Sequence, residues 1–339
     1  MKIRVLGGGW YGSHLAAALL RDGHQVELHE IAGRLFAGAS GACPARLHQG
    51  MHYPRSRLTR AACQEHAQEF MKLYGHLTRA VHTNIYAVAD KDSLVDFGTY
   101  CQVLKGEVEY VRIHDPAEFW LQNVEGAILT GERYISIPAA AEHFTAALGD
   151  AVKYNAPPGE VDSKEWDWTI DCTFCANDAE NIDRFEPCVT GMIGAPDEWW
   201  SWAVTIMDGP FPSVYPWDGA GADGPQTHSI TSALLTPLSK TCKTWAEARE
   251  ILDATSASDL KDRVREMLVQ LAHFWPPASS PWIRVLEPLT AIRAMPRSGA
   301  DARLVDVVRV GERALRIRAG KIDAILHAER MVKEMMCLP

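Results

Sequence analysis

At 339 residues, with 47% hydrophobic and 23% charged positions, the chain is long enough for about two globular domains. Its net charge of −9, with no basic stripe to offset it, argues against nucleic acid as a partner. No apolar run approaches the roughly 20 residues that cross a bilayer, so no membrane span is expected. The first element is strand-like, Ile3-Arg4-Val5-Leu6, and runs into Gly7-Gly8-Gly9-Trp10-Tyr11-Gly12. An Ala/Leu-rich helix over Ser13 to Arg21 follows, and a second strand, Gln25 to His29, ends at Glu30. Strand, glycine turn, helix, strand and acid in this order open a dinucleotide-binding βαβ unit. Gly7 makes the tight turn, Gly9 lets backbone amides approach a diphosphate, and Gly12 lets the helix pack on its strand. The diphosphate would sit at the helix N-terminus, where unpaired N–H groups and the dipole favour an anion. Glu30 follows Gly12 by 18 residues, the place of a carboxylate that takes a ribose hydroxyl pair and repels a 2′-phosphate. The ADP-ribose end of FAD or NAD is therefore expected, and NADP is disfavoured.

A loop rich in Gly, Ala and Ser runs from Gly33 to Pro54, and helical periodicity resumes from Arg60 to Leu77. Asn84 to Ala89 reads as a strand, Leu94 to Leu104 as a helix, and Val108 to Ile113 as a strand. Asp115-Pro116 has the form of an N-cap followed by proline at the first helical position, and Ile137 to Leu148 is a helix entered through Pro138. Trp166 to Thr173 is a buried strand whose end, Asp171-Cys172-Thr173, is placed to meet a ligand. From Met192 to Leu238 the texture is that of antiparallel sheet, with Trp199, Trp200, Trp202 and Trp217 among its residues. Thr244 to Leu252, with Thr244 and Glu247 as a capping box, and Leu260 to Phe274 are helices. Val305 to Val310 and Ala314 to Ile317 form a hairpin, and a last amphipathic helix opens at Gly320-Lys321 and runs to about Met335.

A nucleotide-binding unit that opens the chain and closes it, with antiparallel material between, implies an α/β fold: a Rossmann-like FAD-binding domain interleaved with an antiparallel α+β substrate domain. The expected division is 1–82, 147–191 and 284–339 for the first, and 83–146 and 192–283 for the second. Eight cysteines at irregular spacings suggest free thiols in a reducing compartment, and the strand begins directly after Met1-Lys2, so a cytoplasmic location is expected. Cys172 and Cys175 form a lone CxxC that follows a strand and reads as structural rather than thioredoxin-like. No second pair completes a zinc site.

Gly7-x-Gly9-x-x-Gly12, Glu30, Gly38-Ala39-Ser40-Gly41 and Leu47-His48-Gln49-Gly50-Met51-His52-Tyr53-Pro54 together resemble the FAD-dependent D-amino-acid oxidase superfamily. The His48-x-Gly50-x-x-Tyr53 stretch is most similar to L-2-hydroxyglutarate dehydrogenase, although Pro44-Ala45-Arg46 stands where those enzymes carry Asn-Ser before the histidine. The resemblance implies FAD, taken as noncovalent by default, held by Gly7, Gly9, Gly12, Glu30, Ser40, His48, Thr173, Gly320, Lys321 and Ile322. It places Arg293 where a substrate carboxylate is clamped, a role suited to a guanidinium fork. His48 and His52 are the candidate proton acceptors, since imidazole titrates near neutral pH. Gly320-Lys321 would present amides and a cation to the reduced flavin.

The reading that follows is an FAD-dependent oxidoreductase that dehydrogenates the CH–OH group of a small anionic substrate of the 2-hydroxy acid type. An amino acid or amine oxidase acting on a CH–NH group is the first alternative. A noncatalytic dinucleotide-binding protein and a nonoxidative flavoenzyme acting on a nucleotide sugar are the others.

Overall fold

The computed structural model describes residues 1–157, 159–174, 176, 182–199, 201–218, 227–297, 304–318 and 320–337. The first strand, Lys2–Leu6, is buried from Ile3 onward because it is central. It is flanked in parallel by Gln25–His29 and Trp168–Asp171, giving a six-stranded sheet completed by Val152–Lys153 on one side and by Ala314–Arg318 and Asp306–Gly311 on the other. Only the last pair is antiparallel, as the hairpin pattern requires. The helix Trp10–Arg21 is buried from Trp10 to Leu19 and packs against Ile137–Leu148 and Ile325–Met335. Cover on several sides explains its unbroken Ala/Leu composition. Ile3, Val5, Leu15, Leu19, Val26, Leu28, Ile170 and Leu315 join in one core.

The second sheet has nine strands. Its spine is the 13-residue strand Ile182–Gly194, which pairs antiparallel with Leu289–Pro296 over most of its length and with Thr227–Ser232 at its end. Residues 182–191 of the first of these strands and all of Leu289–Pro296 belong to segments expected in the nucleotide-binding domain, whereas residues 192–194 were expected in the substrate domain; all of them pair in this sheet. Thr83–Ala89 joins it in parallel to Trp202–Met207, a departure from the antiparallel texture read from the sequence. The helix Ala257–Phe274 covers this sheet through Leu260, Val264, Met267 and Leu271.

A third sheet was not expected. Arg46–Leu47, Arg133–Ile135 and Thr78–Ala80 form three short antiparallel strands that pin the Gly33–Pro54 segment, read from its composition as loop, beneath the body of the molecule. Two- and three-residue strands leave no periodicity for a sequence to show. The long helix spans Arg57–Tyr74, begun by the Ser56 cap, and hands over to a 3-10 turn at Gly75–Leu77. Asp96 caps a helix that starts at Phe97 rather than Leu94, and Asp115 caps only a 3-10 turn, Pro116–Phe119. Glu247 does not close the capping box on Thr244 but accepts instead from the Lys243 N–H at 2.6 Å. Among the described residues, no helix is long and apolar enough to cross a membrane.

Candidate active site

The glycine turn is built as its spacing demands. Gly7 has φ of +94°, and a Cβ on Gly12 would stand 1.9 Å from the Gly7 carbonyl oxygen, so helix and turn meet only because residue 12 has no side chain. A Cβ on Gly9 would meet the Ser40 hydroxyl at 2.6 Å, and that hydroxyl accepts from the Trp10 N–H at 3.1 Å. The helix that starts here has no acidic residue in its first turn and no side-chain cap, leaving its positive end open to an anion. Glu30, buried beside the turn, accepts from the Gly8 N–H at 2.6 Å and the Ala32 N–H at 2.8 Å. At the end of Trp168–Asp171, both the N–H and the hydroxyl of Thr173 donate to Asp171 Oδ1, and Cys172 and Thr173 lie against Gly7. Gly7, Gly9, Gly12, Glu30, Ser40 and Thr173 are thus gathered at the carboxyl ends of the sheet's central parallel strands. Cys172 is a half-buried free thiol, and Cys175 lies outside the described residues, as does Trp200.

A second cluster gathers around His48. Its Nδ1 is 3.7 Å from Glu132, a carboxylate with no exposed surface. Glu132 accepts from the Gln49 N–H at 2.6 Å and from the Tyr86 hydroxyl. Burial and the nearby Lys321 ammonium hold the His48 imidazole down at about 4, so it is neutral across the physiological range. Burial opposes the charge on Glu132, but the hydrogen bonds it accepts keep the carboxyl below its ordinary value. His52 stacks beside His48 with ring centres 5.1 Å apart and faces Tyr53 at 5.2 Å.

Lys321 reaches the same place from the far end of the chain. Its ammonium stands 3.4 Å from the centre of the Tyr53 ring and donates to Cys63 Sγ at 2.8 Å. The carbonyl oxygen of Lys321 accepts from the Tyr11 hydroxyl. Gly320-Lys321 does not open the last α-helix: Lys321 caps a 3-10 turn, Ile322–Ala324, and the helix proper is Ile325–Met335. Ile322 packs against the nucleotide-side core. Asp323, in the 3-10 turn, is almost wholly buried with one carboxylate oxygen lacking a hydrogen-bond partner, and burial pushes its pKa up to about 6.

The clamp expected at Arg293 is engaged by the protein itself. Arg293 stands opposite Glu186 in the Ile182–Gly194/Leu289–Pro296 register, and its Nε and Nη2 both donate to the Glu186 carboxylate, which also accepts from Arg184 at 2.7 Å. Trp199 and Trp202 pack on Trp275 in the core of the large sheet rather than walling a pocket. Trp217 does line a narrow cavity, with Arg46, Tyr134, Tyr215 and Asp218. Sequence reasoning missed Glu132 and Tyr86, which reach His48 only through tertiary contacts. Arg46 had a signal, since it lies in the stretch that departs from the superfamily pattern.

Over 347 aligned residues the chain is 32% identical to the FAD-dependent monooxygenase FPY4 of Fusarium mangiferae, covering 99% of this chain and 91% of that one. It belongs to this family of FAD-dependent monooxygenases. The flavoenzyme also superposes on glycine oxidase from Geobacillus kaustophilus with a TM-score of 0.69 at 15% identity, over 99% of its own chain and 95% of that one. With L-proline dehydrogenase from P. horikoshii the TM-score is 0.68 at 12% identity, over 99% and 92%. These likenesses establish a fold shared with the two flavin-type oxidoreductase structures; the narrower likeness to L-2-hydroxyglutarate dehydrogenase is carried by neither of them. No protein-family model matches the chain. The flavoenzyme's own residues fit FAD: Gly9 and Gly12 form a cradle that Cβ atoms would fill, and the adjoining helix has no acidic residue in its first turn to repel a diphosphate. The noncatalytic reading gives way to that of an FAD-dependent oxidoreductase.

Proposed function

We propose that the enzyme oxidises a small amine or amino acid at its CH–NH group, in preference to a 2-hydroxy acid. The neutral state of His48 carries this reading. Dehydrogenating an alcohol requires removal of the O–H proton by a base whose pKa lies near the working pH, and an imidazole held at about 4 is too weak for that task. A free amine needs no such base. The Lys321 ammonium and the Arg46 guanidinium, whose charges both reach His48, favour the uncharged amine over an ammonium ion in the same place. The printed activities of the structural relatives, a glycine oxidase and a proline dehydrogenase, agree with an amino acid or amine donor.

FAD, when bound, supplies the acceptor for the hydride that leaves the substrate carbon. The diphosphate would be held at Gly7–Gly12 with Ser40 and Thr173 beside it, and the ribose by Glu30. His48 accepts a hydrogen bond from the substrate N–H and so fixes the direction of the nitrogen lone pair. Glu132, itself fixed by Gln49 and Tyr86, orients the imidazole. Lys321 sets a positive charge beside Tyr53 and Cys63, and would stabilise negative charge on a reduced flavin held there.

The name of FPY4, a monooxygenase, favours a second reading, oxygen insertion; were the oxygen to go to the substrate nitrogen, the same uncharged amine would be needed. Anaerobic mixing with matched panels of amino acids, secondary amines and 2-hydroxy acids tests the donor. Loss of flavin colour with amines supports the reading, and loss with hydroxy acids alone overturns it. Incorporation of label from ¹⁸O₂ into the amine product separates oxygenation from dehydrogenation.

A further inference from the structure

The glycine turn asks nothing of the two side chains between Gly9 and Gly12, and the structure uses them differently. Trp10 packs among Phe36, Phe70 and Phe144. Tyr11 is buried in the same core, but its ring carries a hydroxyl, and a buried hydroxyl needs a partner. It donates to the carbonyl oxygen of Lys321, 310 residues away. That oxygen also accepts from the Ala324 N–H at 3.1 Å, within the 3-10 turn that Lys321 begins. Lys321 is thereby held at two points. Its backbone lies against the first turn of Trp10–Arg21, and its ammonium lies over the Tyr53 ring and against Cys63 Sγ. Burial pushes the Cys63 thiol up to about 11, so it stays protonated and offers no counter-charge. A flexible four-carbon stem without an ion pair takes its direction from where its backbone is fixed. Tyr11 is also the second residue of its helix, where the main-chain N–H has no partner within the helix. One residue thus serves the diphosphate seat with its backbone and Lys321 with its side chain.

We propose that Tyr11 is a positioning residue for Lys321: its hydroxyl ties the lysine-bearing turn to the diphosphate seat and so fixes the ammonium near His48. The assignment rests on the reading of Lys321 as the cation beside a reduced flavin only for its effect on the flavin. Removing the hydroxyl while keeping the ring leaves the core filled and the Lys321 carbonyl with the Ala324 N–H alone. The stem then swings, and because the charge felt by a neighbour falls with distance and with entering water, the imidazole registers it. The charges acting on His48 are those of Lys321, Glu132 and Arg46, and the rings of His52 and Tyr53 flank it. Of these charges Lys321 acts most strongly, and it opposes a proton on the imidazole. Tyr74 supplies the comparison, a buried hydroxyl in the same core that bonds His14 at 2.7 Å.

The test uses the FAD-loaded full chain as wild type, Tyr11→Phe, Lys321→Met, the double variant and Tyr74→Phe. The His48 imidazole is titrated by NMR, and the flavin midpoint potential is measured on the same samples. Tyr11→Phe should retain FAD and raise the proton affinity of His48 by about threefold or more, in the direction of Lys321→Met. It should also weaken the preference for reduced over oxidised flavin by about threefold, with Lys321→Met weakening it by about tenfold. The double variant should match Lys321→Met in both readouts, because a residue that acts through another adds nothing once that other is gone. Tyr74→Phe should leave His48 where it is. The proposal is overturned if Tyr11→Phe leaves His48 unmoved, if its effect adds to that of Lys321→Met, if Tyr74→Phe moves His48 as far, or if Tyr11→Phe sheds FAD. A shift of His48 in Tyr11→Phe, with the flavin potential unchanged in Lys321→Met, would leave this assignment standing and remove the reading of Lys321 as the flavin's cation.

Discussion

Substituting His48 and Asp323 one at a time should expose two opposite pH dependences of stability that cancel in the wild type. Burial holds His48 at about 4 in the folded chain against an ordinary value of 6.5. Between these limits the unfolded chain binds a proton that the folded chain does not, so this contribution grows with pH and is lost as pH falls through the folded value, by about 1.4 kcal/mol per unit. Asp323 is the reverse case, at about 6 when folded against an ordinary 3.8. There the folded chain binds the extra proton, so stability falls as pH rises, with the same slope. Over the two units that the windows share, pH 4 to 6, each contribution amounts to about 3 kcal/mol, with opposite signs. Relative to wild type, His48→Asn should therefore lose about 3 kcal/mol between pH 4 and pH 6, and Asp323→Asn should gain about as much. Urea midpoints at pH 4, 5 and 6, with FAD in constant excess, give both differences directly. Glu329, held at about 2 by its hydrogen bonds to His14 and Lys333 against the opposing effect of burial, titrates below this window and is common to all three proteins. Differences of the same sign, or differences flat to within about 0.5 kcal/mol across the window, would refute the burial argument for both groups.

Gly12→Ala places a methyl carbon 1.9 Å from a backbone oxygen that cannot rotate away, so FAD retention should be lost, as read from the visible spectrum after desalting. Glu132→Gln removes the charge that supports protonation of His48. Its acid limb in kcat should move to lower pH, with kcat down by about a hundredfold, and a limb that moves to higher pH would contradict the assigned role. Lys321→Met should raise the pKa of both His48 and Asp323, because its ammonium opposes a proton on each; separate NMR titrations of the imidazole and carboxyl would check the common direction. Arg293→Gln leaves Glu186 with Arg184 alone, and after solvent screening of the half-exposed guanidinium the loss of stability by urea should be only about 1 kcal/mol.

The nucleotide end of the site was legible in the sequence because its determinants are local. Gly7, Gly9, Gly12 and Glu30 lie within 30 residues, each glycine answers a backbone constraint of one turn, and the flanking elements show their periods openly. Helix limits at Ser56, Asp96 and Thr244 were off by a few residues at most, since a cap leaves a signature only where its side chain meets the next turn. The reacting end was not legible in the same way. His48, Glu132, Tyr86, Lys321 and Arg46 come from four separate stretches, and neither burial nor partner is written in any of them. Arg293 shows the limit most plainly: its residue type and its place in the chain both suited a substrate clamp, yet strand register set Glu186 opposite it. Arg46, two residues before a recognised histidine, holds a buried charge whose Nε has no hydrogen-bond partner among the described residues. Chain-local geometry specified where a dinucleotide diphosphate can rest. Which charges are already neutralised, and which remain for a substrate, depended on contacts between residues as far apart as 46 and 213, or 63 and 321, and those exist only once the sheets have assembled.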